Sequence, residues 1–143
     1  MRYIVATDGS EPSLRAARFF IRQSCPGPED ELFVIYVFPL PSDPECYKGV
    51  VPLPTHADDE RVAEVARPIL AETLEVLAEV KGHVNEVILV GNPAKEIVEF
   101  AMNLDVDLVV AGTRGRSPAQ ELYLGSVSSA LVHRSPCSVL IVR

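Results

Sequence analysis

Short apolar runs alternate along the chain with segments in which apolar residues recur at helical spacing. The runs predict five β-strands, at Tyr3–Thr7, Leu32–Phe38, Val84–Val90, Leu108–Ala111 and Ser138–Val142. The segments between them predict four helices, at Glu11–Ser24, Ala57–Val80, Pro93–Asn103 and Ser126–His133. Strands that alternate with helices are typical of a parallel sheet covered on both faces. The pattern therefore predicts a single α/β domain over residues 1–143.

Polar and proline residues set the expected ends of these elements. Ser10 and Asn92 are good N-caps for the first and third helices. Pro68 falls inside the second helical pattern and predicts a kink, the alternative being a helix that begins near this proline. Pro39–Thr55 holds five of the twelve prolines and predicts a long loop of the kind that is usually functional or mobile.

Composition and charge exclude several classes of protein. The 13 basic and 20 acidic side chains give a net charge of −7 with no Lys/Arg run, which argues against nucleic acid or an anionic membrane as partner. No apolar stretch approaches the ~20 residues that span a bilayer, and the initial apolar run is too short for a signal peptide, so we expect a cytoplasmic protein. The three cysteines form no disulfide or zinc pattern, and only Cys46 invites a redox test.

Candidate chemistry lies after the first and fourth strands, because open parallel sheets bind ligands beyond the carboxyl ends of their strands. The first end carries Thr7-Asp8-Gly9-Ser10, and the second begins a glycine-patterned segment, Gly112–Ser126, that leads into the last helix. Glycines allow close approach to a phosphate and positive φ angles, and the first amides of a helix attract anions. The alternative is that these glycines only form a turn and a helix cap.

Other residues of the second segment add donors and charge. Ser126 and Ser128 bring hydroxyl groups to the start of the helix, and Arg114 or Arg116 would add a positive charge. The chain has no G-x-G-x-x-G after its first strand, no P-loop motif and no G-x-S-x-G elbow. The usual dinucleotide, P-loop and α/β-hydrolase sites are therefore not supported.

The spacing G-x-x-G, nine residues, then G-[ST] is matched by Gly112, Gly115, Gly125 and Ser126. This arrangement resembles the ATP-binding motif of the universal stress protein family. The resemblance covers nearly the whole chain and extends to Asp8 at the end of the first strand, Gly91-Asn92-Pro93 before the third helix and the closing strand after Ser135-Pro136. Family members often carry Ser-His inside the first glycine pair, where this chain has Thr113-Arg114, and arginine suits a phosphate at least as well.

The resemblance implies a doubly wound five-stranded parallel sheet of order 3-2-1-4-5. It implies that Asp8 faces the nucleotide sugar, that Val37 meets the adenine and that the glycine-patterned segment surrounds the phosphates. The cofactor is expected to be ATP, or ADP or AMP, with Mg²⁺ or Mn²⁺ held through the phosphates and not by protein ligands. The residues expected at the nucleotide are Ala6, Thr7, Asp8, Val37, Gly112, Arg114, Gly115, Gly125, Ser126, Val127 and Ser128.

No catalytic constellation is expected beside this site. ATP hydrolysis needs a group that positions water, and the nearby candidates are Glu121, Ser128 and His133, of which Glu121 is read as a solvated loop residue and His133 as a surface residue. We expect a stress-response regulator that acts as a homodimeric nucleotide-dependent switch on a protein partner of unknown identity, paired through strand 138–142. A nucleotide-independent dimeric module of the same fold and a slow ATP hydrolase are the alternatives.

Overall fold

The computed structural model describes residues 1–24, 26–41, 53–54, 56–113 and 124–143. Five strands are present, β1 (Arg2–Ala6), β2 (Glu31–Pro39), β3 (His83–Gly91), β4 (Leu108–Gly112) and β5 (Ser138–Val142). Four helices are present, α1 (Glu11–Ser24), α2 (Glu60–Val76), α3 (Pro93–Asn103) and α4 (Ser126–Arg134). Apart from α2, every element matches its expected bounds to within one residue at each end. Within the described residues, no helix combines the length and the apolar character that crossing a membrane requires.

The strands form one parallel sheet in the order β3-β2-β1-β4-β5, which confirms the expected fold. The pairing of β1 with β2 ends at Ala6 and Ile35, whereas β2 stays paired with β3 as far as Pro39 and Gly91. The carboxyl end of β2 therefore extends beyond that of β1. This step in the sheet positions the cavity described below.

The helices cover both faces of the sheet, as the strand pattern requires. Successive residues of β1 point to opposite faces, so Tyr3 and Val5 join the core beneath α1 and α2, while Ile4 and Ala6 join the core beneath α3 and α4. Phe20 of α1 is completely buried in the first of these cores. Both cores are apolar, which is why β1 and β2 appear in the sequence as nearly continuous hydrophobic runs.

The second helix is shorter than the pattern predicts. It begins after Asp59, whose side chain accepts a hydrogen bond from the Arg61 amide at 3.0 Å and lies 2.6 Å from the Arg61 guanidinium. The hydrogen bond from the Arg61 side chain holds the pKa of the Asp59 carboxyl below its usual value. The helix continues through Pro68, so it does not begin there. It ends at Val76, and its C-cap Leu77 leaves the helical conformation with a φ of −91° and a ψ of 7° but remains buried.

Candidate functional site

A cavity of about 570 Å³ lies where β1 and β4 end and β2 continues. That volume falls in the usual range of small-molecule sites. The first turns of α1, α3 and α4 and the last residues of the three strands surround it. The residues that form its wall are Ala6, Thr7, Asp8, Ser13, Ile35, Tyr36, Val37, Pro39, Pro93, Ile97, Ala111, Gly112, Leu124, Gly125, Ser126, Val127 and Ser128.

Nine of the eleven residues expected at the nucleotide form part of this wall. They come from the ends of β1, β2 and β4 and from the start of α4, and they are Ala6, Thr7, Asp8, Val37, Gly112, Gly125, Ser126, Val127 and Ser128. The other two, Arg114 and Gly115, lie outside the described residues, as do Arg116, Glu121, Cys46 and most of the loop between β2 and α2. The structure thus brings the described members of the expected set to one cavity.

The peptide groups of Val37 extend past the end of β1. The Thr7 amide bonds the Ile35 carbonyl at 2.9 Å, so the peptide groups of Ile35 point toward β1. Peptide groups alternate sides along a strand, and those of Val37 therefore point the same way, beyond the end of β1 at Ala6. One N–H donor and one C=O acceptor from Val37 thus face the cavity in the plane of the sheet. A flat heterocycle that presents an acceptor beside a donor would complete this strand edge.

The turn between β1 and α1 presents oxygen atoms. One oxygen of Asp8, Oδ1, accepts hydrogen bonds from the Ser10 amide at 3.0 Å and from the Ser10 hydroxyl at 2.6 Å. Gly9 takes a left-handed φ of 74°, which brings Ser10 back over Asp8. The carboxylate is therefore held in one orientation at the cavity wall. An acceptor of this kind favours hydroxyl groups and cations over phosphate.

The start of α4 has the opposite polarity. Its N-cap is Gly125, which has no side chain to accept from the first-turn amides, and no side-chain cap is formed. The first intrahelical hydrogen bond runs from the Ser129 amide to the Gly125 carbonyl, so the amides of Ser126, Val127 and Ser128 are left as donors. These donors and the positive end of the helix dipole make this end of the cavity suited to an anion.

The neighbouring helix starts are less suited to an anion. At α1, the Ser10 hydroxyl accepts from the Ser13 amide at 3.5 Å, and Pro12 has no N–H. At α3, Asn92 caps the Lys95 amide at 3.1 Å and Pro93 again lacks an N–H. Both caps confirm the sequence predictions for Ser10 and Asn92. Among the helix starts that border the cavity in the described part of the chain, α4 is the one without a side-chain cap.

Ser128 differs in part from its expected role. Its hydroxyl donates to the carbonyl of Thr113 at 2.8 Å and also lies 3.0 Å from the carbonyl of Gly125. The Gly125 amide bonds the same Thr113 carbonyl at 2.7 Å. The Ser128 side chain is buried and ties the start of α4 to the end of β4. Its hydroxyl proton is therefore already in use, and only its backbone amide remains as a donor for an anion.

Of the two properties of glycine that the sequence suggested, close approach and a positive φ angle, Gly112 and Gly125 do not use the second. Gly125 has a φ of −62°, and the described glycines with positive φ are Gly9 and Gly91. Gly112 is needed for a different reason, because a Cβ atom there would lie 2.6 Å from the carbonyl carbon and oxygen of Pro12. The start of α1 packs directly on the backbone of β4.

Eight wall residues were not expected from the sequence. Most are apolar and occur in elements that had been predicted correctly, and they are Ile35, Tyr36, Pro39, Pro93, Ile97, Ala111 and Leu124, with Ser13 as the polar exception. Tyr36 and Pro39 follow from the excess length of β2 over β1, which depends on strand register. Leu124 directly precedes Gly125 and is 40% exposed, so it places apolar surface at the cavity.

The described residues contain no group of three His, Cys, Asp or Glu side chains that would hold a metal ion. His133 is exposed in the last turn of α4, at the end of the helix opposite to its free amides. Its Nδ1 lies 3.0 Å from the Ser129 carbonyl. The surface position expected for this histidine is confirmed.

A family model described as the universal stress protein family matches residues 1–143. Universal stress protein YxiE of Bacillus subtilis is 34% identical over 146 residues, which cover 99% of this chain and 98% of YxiE. The solved structure of MJ0577, a universal stress protein of Methanocaldococcus jannaschii, has a TM-score of 0.76 at 25% identity and covers 99% of this chain and 94% of that chain. A universal stress protein solved in complex with cAMP has a TM-score of 0.67 at 27% identity, covering 100% of this chain and 97% of that one.

Proposed function

Because the chain belongs to the universal stress protein family, we propose that its cavity binds ATP, or ADP or AMP, and that the protein is a nucleotide-dependent regulator in stress response. The observation that carries this proposal is the polarity of the cavity. Uncapped helix amides lie at the start of α4, and a fixed carboxylate and an open strand edge border the same space. An adenine nucleotide has groups of matching polarity in its phosphates, sugar and base.

Each part of the nucleotide has a counterpart in the wall. The phosphates lie at the amides of Ser126, Val127 and Ser128, and the sugar hydroxyls lie at Asp8. The adenine lies against Val37, whose N–H donates to N1 of the base while its carbonyl accepts from the N6 amino group. Arg114 and Gly115 complete the phosphate end in this proposal, which extends the family pattern to them.

A divalent ion would be held mainly by the nucleotide. Asp8 is the one carboxylate among the described residues of the cavity wall, and its Oδ1 is already bonded to Ser10. Mg²⁺ commonly binds through phosphate oxygens and retained waters, with few protein ligands. The donor set therefore suits Mg²⁺ or Mn²⁺ as a companion of the phosphates, where it would neutralise their charge.

Adenine nucleotides are expected to bind about 100-fold more tightly than guanine or inosine nucleotides. Guanine and hypoxanthine place an N1–H donor against the Val37 N–H and an O6 acceptor against its carbonyl, and each mismatch costs about 1–3 kcal/mol. Titration calorimetry on nucleotide-free protein with ATP, GTP and ITP measures the difference. ITP lacks the 2-amino group, so it separates hydrogen bonding from steric exclusion. No binding of ATP, ADP or AMP at millimolar concentration would overturn the proposal.

We propose that occupancy acts as a switch on contacts with a protein partner, in a cytoplasmic setting. The alternative is a nucleotide-independent interaction module of the same fold. Gly125→Val separates these functions, because its side chain would block the phosphate end while leaving a purely structural module working. No residue is assigned a catalytic role, and a slow ATPase would be revealed by turnover well above that of the double variant Ser126→Ala, Gly115→Val.

The dimer is proposed to form through β5, an edge strand with β4 on one side. The Thr113 amide bonds the Val142 carbonyl, so the peptide groups of Val139 and Ile141 point away from β4. Open apolar edges favour pairing with a second chain. Light scattering is expected to give about twice 15.6 kDa for the wild type and the monomer mass for Val139→Pro, which removes an outward N–H. A monomeric wild type at working concentration would refute the dimer.

A further inference from the structure

Three hydroxyl groups from three different elements meet beside the cavity, on the side of α1 and α2. They belong to Thr7 at the end of β1, Ser13 of α1 and Thr73 of α2, which are 6%, 4% and 0% exposed. Thr7 Oγ1 lies 2.8 Å from Thr73 Oγ1 and 3.3 Å from Ser13 Oγ. Thr7 and Ser13 form part of the cavity wall, whereas Thr73 lies behind it.

The distances indicate where the proton of each hydroxyl goes. Thr73 donates to the Ile69 carbonyl at 2.9 Å, so its oxygen is an acceptor for Thr7. Ser13 donates to the Ser10 carbonyl at 2.8 Å. With these two donations, and with Thr73 as its shorter contact, Thr7 gives its one proton to Thr73, which leaves the longer contact between Thr7 and Ser13 without a proton. A ligand atom that reaches the Thr7 oxygen meets an acceptor, because Thr73 holds the proton away.

The same Thr7 oxygen supports the turn that carries Asp8. The Gly9 amide donates to Thr7 Oγ1 at 3.3 Å, and the Thr7 amide anchors the segment to Ile35 on β2. Ser10 in turn fixes the carboxylate of Asp8. Thr73 is therefore linked to the cavity indirectly, through the hydroxyl of Thr7.

We propose that Thr73 is a positioning residue for the sugar end of the nucleotide site, and that it couples occupancy of the cavity to the stability of α2. The inference rests on the proposed function, because it assumes that a nucleotide sugar lies at the turn formed by Thr7 and Asp8. The variant that tests it is Thr73→Val, which keeps the shape of the side chain and removes the Thr73 oxygen that accepts the Thr7 proton. The Thr7 proton would then turn toward Ser13 or the cavity, and Thr7 Oγ1 would no longer be held as an acceptor for a sugar hydroxyl.

The test is a thermodynamic cycle between a protein change and a ligand change. Titration calorimetry measures the affinities of the wild type and of Thr73→Val for ATP, 2′-deoxy-ATP and 3′-deoxy-ATP. We expect Thr73→Val to lower the affinity for ATP about fivefold to tenfold, as the loss of one buried hydrogen bond predicts. The affinity for at least one deoxynucleotide should fall by much less. Thr73→Ser keeps the hydroxyl and is expected to restore wild-type values.

Ile69→Val is the matched control for stability. It removes a buried methyl group from the same helix without touching the Ile69 carbonyl, so it lowers stability and should leave all three affinities unchanged. Equal losses for ATP and both deoxynucleotides in Thr73→Val would overturn the role of Thr73 while leaving the proposed function standing. Failure of the wild type to bind ATP would overturn both.

A second measurement needs no variant. Saturating ATP is expected to slow hydrogen exchange of the α2 amides around Thr73 in the wild type, because ligand binding and local stability are coupled. Wild-type protein that binds ATP without any change of exchange in this segment would overturn the coupling. Slower exchange in the wild type that is lost in Thr73→Val and kept in Thr73→Ser would support it.

Discussion

Ser126→Asp is expected to raise the stability of the ligand-free protein and to lower its affinity for ATP by about 100-fold. Ser126 is the first residue of α4, where the N-cap supplies no side-chain acceptor. A carboxylate in the first turn of a helix stabilises it by about 0.3–1 kcal/mol through the helix dipole. The same charge would occupy the anion site and repel the phosphates, a repulsion worth several kcal/mol between partly buried charges.

The opposite signs of these two effects make the test specific. Thermal unfolding measures the first effect and titration calorimetry with ATP and adenosine measures the second. Adenosine has no phosphate, so its affinity should change little in Ser126→Asp. Ser126→Asn has nearly the same shape without the charge, and it should keep ATP affinity within a few-fold of the wild type.

Two results would contradict the assignment of the phosphates to α4. One is an ATP affinity that Ser126→Asp leaves unchanged. The other is an equal loss of affinity for ATP and adenosine, which would indicate a general distortion of the cavity. The first would show that the anion lies elsewhere, and the second that the loss does not come from the phosphates, although the uncapped start of α4 would still explain a gain in stability.

The sheet was largely predictable because its signals are local, whereas the described site residues were expected mainly from the family resemblance. The buried strands appear as continuous apolar runs, and the caps Ser10 and Asn92 appear directly before their helices. The end of α2 was not predictable, because Leu77 continues the helical spacing in the sequence and is buried by packing after the helix has ended. The spacing of apolar residues indicates which of them are buried, and a buried residue such as Leu77 need not lie in a helix.

Contacts between distant parts of the chain left no comparable signal. Thr73 fits the inward-facing pattern of α2, yet its partner Thr7 lies 66 residues away. Ser13 looks like an ordinary first-turn residue of α1, and only the meeting of α1 with the end of β1 brings it into the cavity wall. Such residues depend on how elements pack, which spacing within one element does not record.

Gly112→Ala is expected to destabilise the protein by about 3 kcal/mol even without nucleotide. The added Cβ would lie 2.6 Å from the carbonyl group of Pro12 and 2.9 Å from the Ser13 nitrogen. These are backbone atoms at the start of α1, so they cannot move aside as a flexible side chain would, and overpacking of this kind costs about 1–3 kcal/mol or more. Chemical denaturation of the ligand-free protein measures the loss.

Gly27→Ala provides the control, because its Cβ would lie 3.7 Å from the nearest atom, an ordinary contact. It should change the free energy of unfolding by less than about 1 kcal/mol. If Gly112 served only to admit a phosphate, Gly112→Ala would weaken ATP binding at unchanged stability. If Gly112 is needed for packing against α1, Gly112→Ala lowers the stability of the ligand-free protein. It also displaces α1 from β4, and Ser13 and the Asp8 turn move with the helix. Glycine at this position is therefore required by the packing of the fold, whether or not a nucleotide is bound.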